Sequence, residues 1–223
     1  MSGISGPKII TSDCVLALDA ADKLSYPGSG TTWKDLSGNG NTGTLTNGPT
    51  FSGANGGCIV FDGVDDSVNL PLVSTSTTTI TISIWFNLTT LPGNKSLIYN
   101  GVGSSDGYGL NMGAGGTAST LYVFFGNVSL DVVRAPNIQT NTWYNAVYTR
   151  TTTPSVLNSL YVNGVLLSTN TTLSPNTPTT STTLSVSVAS LNGKISIASM
   201  YNRTLSATEV LQNYNATKSR FGY

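Results

Sequence analysis

Between Ile80 and Leu88 every second residue is apolar: Ile80, Ile82, Ile84, Phe86 and Leu88 alternate with Thr81, Ser83, Trp85 and Asn87. A two-residue period puts each set on one face of an extended chain, so this segment predicts a strand with one buried face. Leu121, Val123 and Phe125 alternate in the same way with Tyr122 and Phe124, and Trp143 to Arg150 reads as a further strand. Leu160 to Leu167 predicts two short strands about Asn163-Gly164, a pair that accepts positive φ at both positions of a hairpin turn. Cys14–Leu18, Cys58–Asp62, Ser67–Leu70, Ser96–Tyr99, Gly109–Met112, Leu184–Val188 and Ile195–Tyr201 complete the predicted set. Gly, Asn and Pro punctuate these runs about every ten residues. Many short strands of period two predict an all-β fold, a two-sheet antiparallel β-sandwich of the jelly-roll kind.

One segment departs from that period. Ser206 followed three residues later by Glu209 is a capping-box signature, and Val210, Leu211 and Tyr214 form a narrow apolar stripe behind it. This predicts one short C-terminal helix, with Lys218 and Arg220 near its negative end. Residues 1–12 read as an extended polar arm, and Thr171 to Thr183, with Pro175 and Pro178, as a low-complexity loop. Neither an internal repeat nor a dividing linker interrupts the rest, so residues 13–223 are expected to form a single domain.

Composition narrows the chemistry. The chain has 223 residues, 10 Lys and Arg against 10 Asp and Glu, and only 9% charged residues. Ser, Thr, Asn and Gly fill the surface instead. A neutral balance with scattered cations has no electrostatic footprint for nucleic acid or an anionic membrane, and no stretch approaches the length of a membrane span. There is no His, so a Ser-His-Asp triad, a Cys-His pair and a His metal site are all excluded. The sole Glu, Glu209, is accounted for by the capping box. Met1 to Asp13 lacks the basic and apolar regions of a secretion signal. Cys14 and Cys58 are too few for a disulfide scaffold and read as buried free thiols.

Candidate sites remain. Asp35 to Asn41, with Asp35 and Asn39 as ligands, offers oxygen atoms to a structural Ca²⁺, or equally an Asx-rich turn held by its own hydrogen bonds. Asp62, Asp65 and Asp66 are three carboxylates that suit a cation or glycoside hydrolysis, but their position between two strands favours a turn. Trp33, Trp85 and Tyr108 are candidate carbohydrate-stacking rings, with Trp143 and Tyr144 beside them. Trp85 stands out because it lies opposite its strand's apolar set. The arm residues Ser2, Pro7, Lys8, Ile9 and Ile10 are candidates for an assembly contact.

"VLALDAADKLSYPGSGTTWKDLSGNGN", "CIVFDGVDDSVNL", "LYVNGVLL" and "GKISIASMYNRTLSATEV", in that order, make the chain resemble the laminin-G-like jelly roll of the concanavalin A-like lectin/glucanase superfamily, from about Cys14 to Tyr223. The opening "YPGSGTTWKDLSGNGN" and the terminal "NATKSRFG" are similar to the form found in tailed-phage structural proteins. The resemblance implies sugar binding or adhesion. In the narrower form it implies a non-enzymatic virion protein, a capsid decoration or fibre module assembled in the host cytoplasm. Its partners would be the major capsid protein or tail proteins, further copies of itself and cell-surface glycans. The alternatives are a carbohydrate-binding or adhesion module and, behind it, a glycan-active enzyme. No cofactor is expected beyond a structural Ca²⁺. The family pattern places a second Ca²⁺ carboxylate in a late "G-x-I-D" strand, where this chain has Gly193-Lys194-Ile195-Ser196.

Overall fold

The computed structural model describes residues 7–127, 130–185 and 191–223. In chain order the strands are β1 (Cys14–Asp19), β2 (Thr32–Trp33), β3 (Gly43–Thr46), β4 (Thr50–Ser52), β5 (Cys58–Asp62), β6 (Ser67–Leu70), β7 (Ile80–Leu88) and β8 (Lys95–Asn100). Then come β9 (Tyr108–Met112), β10 (Leu121–Phe125), β11 (Leu130–Ala135), β12 (Trp143–Thr151), β13 (Leu157–Val162), β14 (Val165–Asn170), β15 (Thr182–Leu184) and β16 (Asn192–Tyr201). The helix α1 (Ala207–Thr217) ends the set and runs into a 3-10 turn at Lys218–Phe221.

These strands form two antiparallel sheets. One has the order β14-β13-β12-β7-β16-β5-β4, with β1 pairing the C-terminal half of β16. The other has the order β11-β10-β9-β8-β15-β6-β3-β2. Register carries the alternation across each sheet. In the second, Leu45, Val68, Leu184, Ile98, Leu110 and Val123 lie side by side on six strands, and all six are buried. In the first, Leu160, Tyr148, Ile82, Met200 and Leu16 form the facing row. The two rows belong to one core cluster, so the predicted sandwich of two sheets around shared apolar faces is what the chain adopts.

The hairpin turn at Asn163-Gly164 has φ of 51° and 78°, the left-handed pair that this sequence is suited to adopt. The capping box also forms. Ser206 Oγ accepts the Glu209 amide, and a Glu209 carboxylate oxygen accepts the Ser206 amide at 2.8 Å. Of the expected stripe the helix buries Val210 and Tyr214, with Thr217 added, while Leu211 is exposed.

Two segments differ from their sequence reading. β15 begins in the stretch read as low-complexity loop, at Thr182 and Thr183, and ends at Leu184, the first residue of the strand expected at Leu184–Val188. It is a central strand, and its Thr182 is tolerable in the core because its hydroxyl donates to Asn100 Oδ1 at 2.5 Å. Residues 186–188 of the strand expected at Leu184–Val188 lie outside the described residues. Ser2 of the arm also lies outside them. The described part of the arm, from Pro7 on, is fastened to its own chain. Gln212 Nε2 donates to the Lys8 carbonyl, the Ile10 amide donates to Asn213 Oδ1 at 2.8 Å, and Tyr201 Oη donates to the Ile10 carbonyl at 2.9 Å. The main chain at Lys8 and Ile10 is therefore taken up by α1 and β16 and not left for a neighbouring molecule.

Candidate functional site

The sugar-stacking candidates are core residues. Trp33 and Tyr108 are 0% exposed and Trp85 1%, so none offers a ring face to a ligand. Trp33 and Tyr108 point between the sheets. Trp85 does lie on the outer face of its sheet, as its alternation requires, but that face is covered. Its ring stacks on Phe221 at 4.0 Å and 17°, and its Nε1 donates to Thr217 Oγ1 at 2.9 Å. Trp143 joins the same cluster against Phe221, and Tyr144 packs on Phe86 from the inner side.

The Asp35 turn is built as a hydrogen-bond hub. Asp35 Oδ1 accepts the amides of Ala17 and Ser37, both at 2.9 Å, while Oδ2 accepts Ser37 Oγ at 2.7 Å and the Asn41 amide at 2.9 Å. Asn39 Nδ2 donates to the Cys14 carbonyl, and Asn41 Nδ2 to that of Val15. Both oxygens of Asp35 thus face N–H and O–H groups, and Asn39 presents its donor side. A cation needs the opposite polarity. The geometry is that of the Asx-rich turn, not of Asp35 and Asn39 as metal ligands.

Asp62, Asp65 and Asp66 have carboxylate oxygens within 4.8 Å of one another. They form the β5–β6 connection. Asp66 Oδ2 accepts the Asp62 amide at 2.9 Å, and Asp62 Oδ1 accepts that of Val64 at 2.8 Å. Burial holds the Asp66 carboxyl above its ordinary pKa, with the neighbouring carboxylates adding to the effect. Cys14 and Cys58 are free thiols, and burial pushes the Cys14 thiol up to about 11.

The face that does carry a recognisable site is the outer side of the second sheet. There the register aligns Thr44, Asn69, Thr183, Tyr99, Gly109 and Phe124 across six adjacent strands. Hydroxyl and amide groups occupy one end and two aromatic rings the other. Gly109 sits between the rings. A Cβ there would lie 2.6 Å from the Tyr99 ring and 2.2 Å from the Ile98 carbonyl oxygen, so only glycine lets Tyr99 and Phe124 approach to 5.9 Å. Tyr99 Oη donates to the Asp106 carbonyl at 2.7 Å, which fixes its ring, and burial, with the Asp106 charge adding to it, raises its pKa. In the next row Tyr122 Oη donates to Asn94 Oδ1 and accepts from Asn111 Nδ2, while Asn111 Oδ1 is buried without a partner. A cleft of about 120 Å³ opens beside the rings, lined by Ser96, Tyr99, Gly101, Gly103, Phe124 and Thr183. The sequence held a signal for this site. Tyr122 and Phe124 are an aromatic pair on the face opposite Leu121, Val123 and Phe125.

A two-sheet jelly roll with an aromatic and hydroxyl-lined outer face is lectin-like in form. Residues 62–211 match the family profile described as Concanavalin A-like lectin/glucanases superfamily, and the chain belongs to that superfamily. No curated protein sequence matches the chain significantly. Among solved structures it is similar to the botulinum neurotoxin type G receptor binding domain, with a TM-score of 0.70 and 16% identity over 91% of this chain and 51% of that one. It is similar to Trypanosoma rangeli sialidase, with a TM-score of 0.72 and 16% identity over 100% of this chain and 36% of the sialidase. It also resembles domain 4 of AbnA, an extracellular arabinanase from Geobacillus stearothermophilus solved with arabinotriose. There the TM-score is 0.67 and the identity 17%, over 91% of this chain and 98% of that domain. The chain thus spans about half of the toxin domain and about a third of the sialidase. At these identities the likeness is one of fold.

Proposed function

We propose that this protein is a non-enzymatic carbohydrate-binding module whose binding face is the outer side of the sheet that carries Tyr99, Gly109 and Phe124. The observation that supports it is the half-buried outward ring of Phe124, backed across Gly109 by the buried Tyr99, with the Ser96 and Thr183 hydroxyls lining the same cleft. A ring face for the apolar side of a sugar, with a few polar groups to orient it, is the usual making of such a site. The superfamily membership and the arabinotriose carried by the similar arabinanase domain point the same way. Several carboxylates are held in structural roles: Glu209 with Arg203, Asp19 with Arg220, and Asp35, Asp66 and Asp106 with amides or hydroxyls. The setting we propose is the surface of a tailed-phage virion, as a capsid decoration or fibre module. It would be assembled in the host cytoplasm beside capsid or tail proteins and further copies of itself. Its support is the resemblance of "YPGSGTTWKDLSGNGN" and "NATKSRFG" to phage structural proteins.

Glycan-array screening followed by calorimetric titration tests the binding reading. Saturable binding that Phe124→Ala removes supports it, and an array without any saturable signal ends it. Mass spectrometry of purified particles tests the virion setting, which fails if the chain is not among the particle proteins.

A further inference from the structure

The cleft beside Tyr99 has a size and a chemistry that restrict its ligand. At about 30 Å³ for each liquid water, its 120 Å³ is the space of about four waters, enough to seat one side of a single sugar ring and too little for two. Its walls are the half-buried Phe124 ring, the small exposed part of Tyr99, two hydroxyls and two glycines, with neither Lys nor Arg among them. A carboxylate entering it would lose water and meet no cation in return, which is costly. A neutral sugar loses only hydroxyl hydration, which Ser96 and Thr183 restore. Resting on the carbohydrate-binding reading above, we infer that the cleft takes a single uncharged sugar ring and discriminates against sialic and uronic acids.

Its two glycines differ in what they do. Gly101 has φ of 117°, and a Cβ there would lie 2.5 Å from Asp106 Oδ1, so its role is to let the loop turn. Gly103 has an ordinary φ, and a Cβ there would meet nothing within 4 Å. What Gly103 provides is the opening itself. A large side chain at this lining position has room without disturbing the backbone, so Gly103→Trp is the variant expected to obstruct the cleft while leaving the fold intact.

The experiment is calorimetric titration of wild type and Gly103→Trp. The ligands are methyl glycosides of glucose, galactose, mannose and arabinose, the corresponding neutral trisaccharides, N-acetylneuraminic acid and galacturonic acid. At least one neutral glycoside is expected to saturate the wild type with a Kd of about millimolar order. Both acids should bind at least tenfold more weakly, and the matching trisaccharide within about threefold of the single ring. Gly103→Trp should weaken the neutral sugar at least tenfold with an unchanged melting temperature. If an acid binds as tightly as the neutral sugars and Gly103→Trp blocks it, the inference is overturned while the carbohydrate reading stands. The same holds if a trisaccharide binds a hundredfold tighter than one ring, or if Gly103→Trp folds normally and binds normally. If no sugar of either kind saturates the wild type, the carbohydrate reading itself fails.

Discussion

Asp35 Oδ1 accepts the Ala17 amide at 2.9 Å, at the free edge of β1, where a neighbouring strand would otherwise place a carbonyl. The same loop continues the substitution. Asn39 and Asn41 side chains donate to the Cys14 and Val15 carbonyls, and the Leu36 amide donates to the Ala17 carbonyl at 2.9 Å. On its other side β1 pairs with β16. The Asp-Leu-Ser-Gly-Asn-Gly-Asn turn therefore seals an edge strand with side chains, which prevents that edge from pairing with another molecule.

Asp35→Ala removes the acceptor of three amides and one hydroxyl at once. Each buried donor left unpaired costs about 1–3 kcal/mol, part of which water recovers here, so a loss of about 3 kcal/mol is expected in urea unfolding. Light scattering should rise with it, as β1 becomes available for pairing. Because the carboxylate faces donors, adding CaCl₂ or EGTA to the wild type should leave the melting temperature where it is. A rise of several degrees with Ca²⁺ would show that this turn opens to a metal.

Trp85 is expected to matter for stability alone. Its ring is stacked between α1 and the C-terminal turn, with Tyr214 at 5.7 Å and Phe221 at 4.0 Å. Trp85→Ala opens a large void and removes the indole donor to Thr217 Oγ1, which should cost about 3–5 kcal/mol by denaturation. Sugar binding per folded molecule should be unchanged. Loss of binding at full stability would restore Trp85 as a ligand platform.

What the sequence revealed and what it hid follow from how local each signal is. The period-two pattern of Ile80 to Leu88 placed Trp85 on the outer face correctly, because facing depends only on alternation. Whether that face meets water depends on Phe221, 136 residues further along, and alternation says nothing about it. The capping box of Ser206 and Glu209 was readable because it spans one turn. β15 was readable only at Leu184, since the apolar environment that makes Thr182 a core residue comes from β6 and β8 on either side. The rings of the candidate site were hidden for the same reason. Tyr99, Gly109 and Phe124 meet only through the pairing of three strands.

Gly109→Ala tests how tightly that site is built. The new methyl would lie 2.2 Å from the Ile98 carbonyl oxygen and 2.6 Å from the Tyr99 ring, with backbone on one side and a buried ring on the other. The strand cannot yield without breaking its pairing, so a loss of about 3 kcal/mol or more is expected, at the upper end of overpacking. Phe124→Ala, at a half-buried outward position, should cost about 1–2 kcal/mol, less than a full core truncation. Equilibrium unfolding of the two variants side by side checks the ranking, and a Gly109→Ala protein as stable as wild type would contradict the close approach of the rings.

The pH dependence of stability should carry the signature of Glu209. The Arg203 guanidinium, 2.7 Å away, together with the hydrogen bonds from Ser206, holds its carboxyl at about 2 against an ordinary 4.5. The unfolded chain therefore binds the proton more readily than the folded one. The resulting stability is complete above about pH 4.5 and is lost as the pH falls through about 2. Both partners are about a quarter exposed, so water screens the pair and about 1–2 kcal/mol is a realistic share, or roughly 2–8 °C in melting temperature. The wild-type curve alone would not isolate it, because Asp66, whose pKa is raised, is relieved of its charge over the acid range and favours folding there. The difference between wild type and Glu209→Gln does isolate it. Melting temperatures of the two proteins should lie furthest apart near pH 6 and converge towards pH 2. A gap that stays constant across this range would mean that the ion pair with Arg203 contributes nothing and that only the cap is lost in the variant.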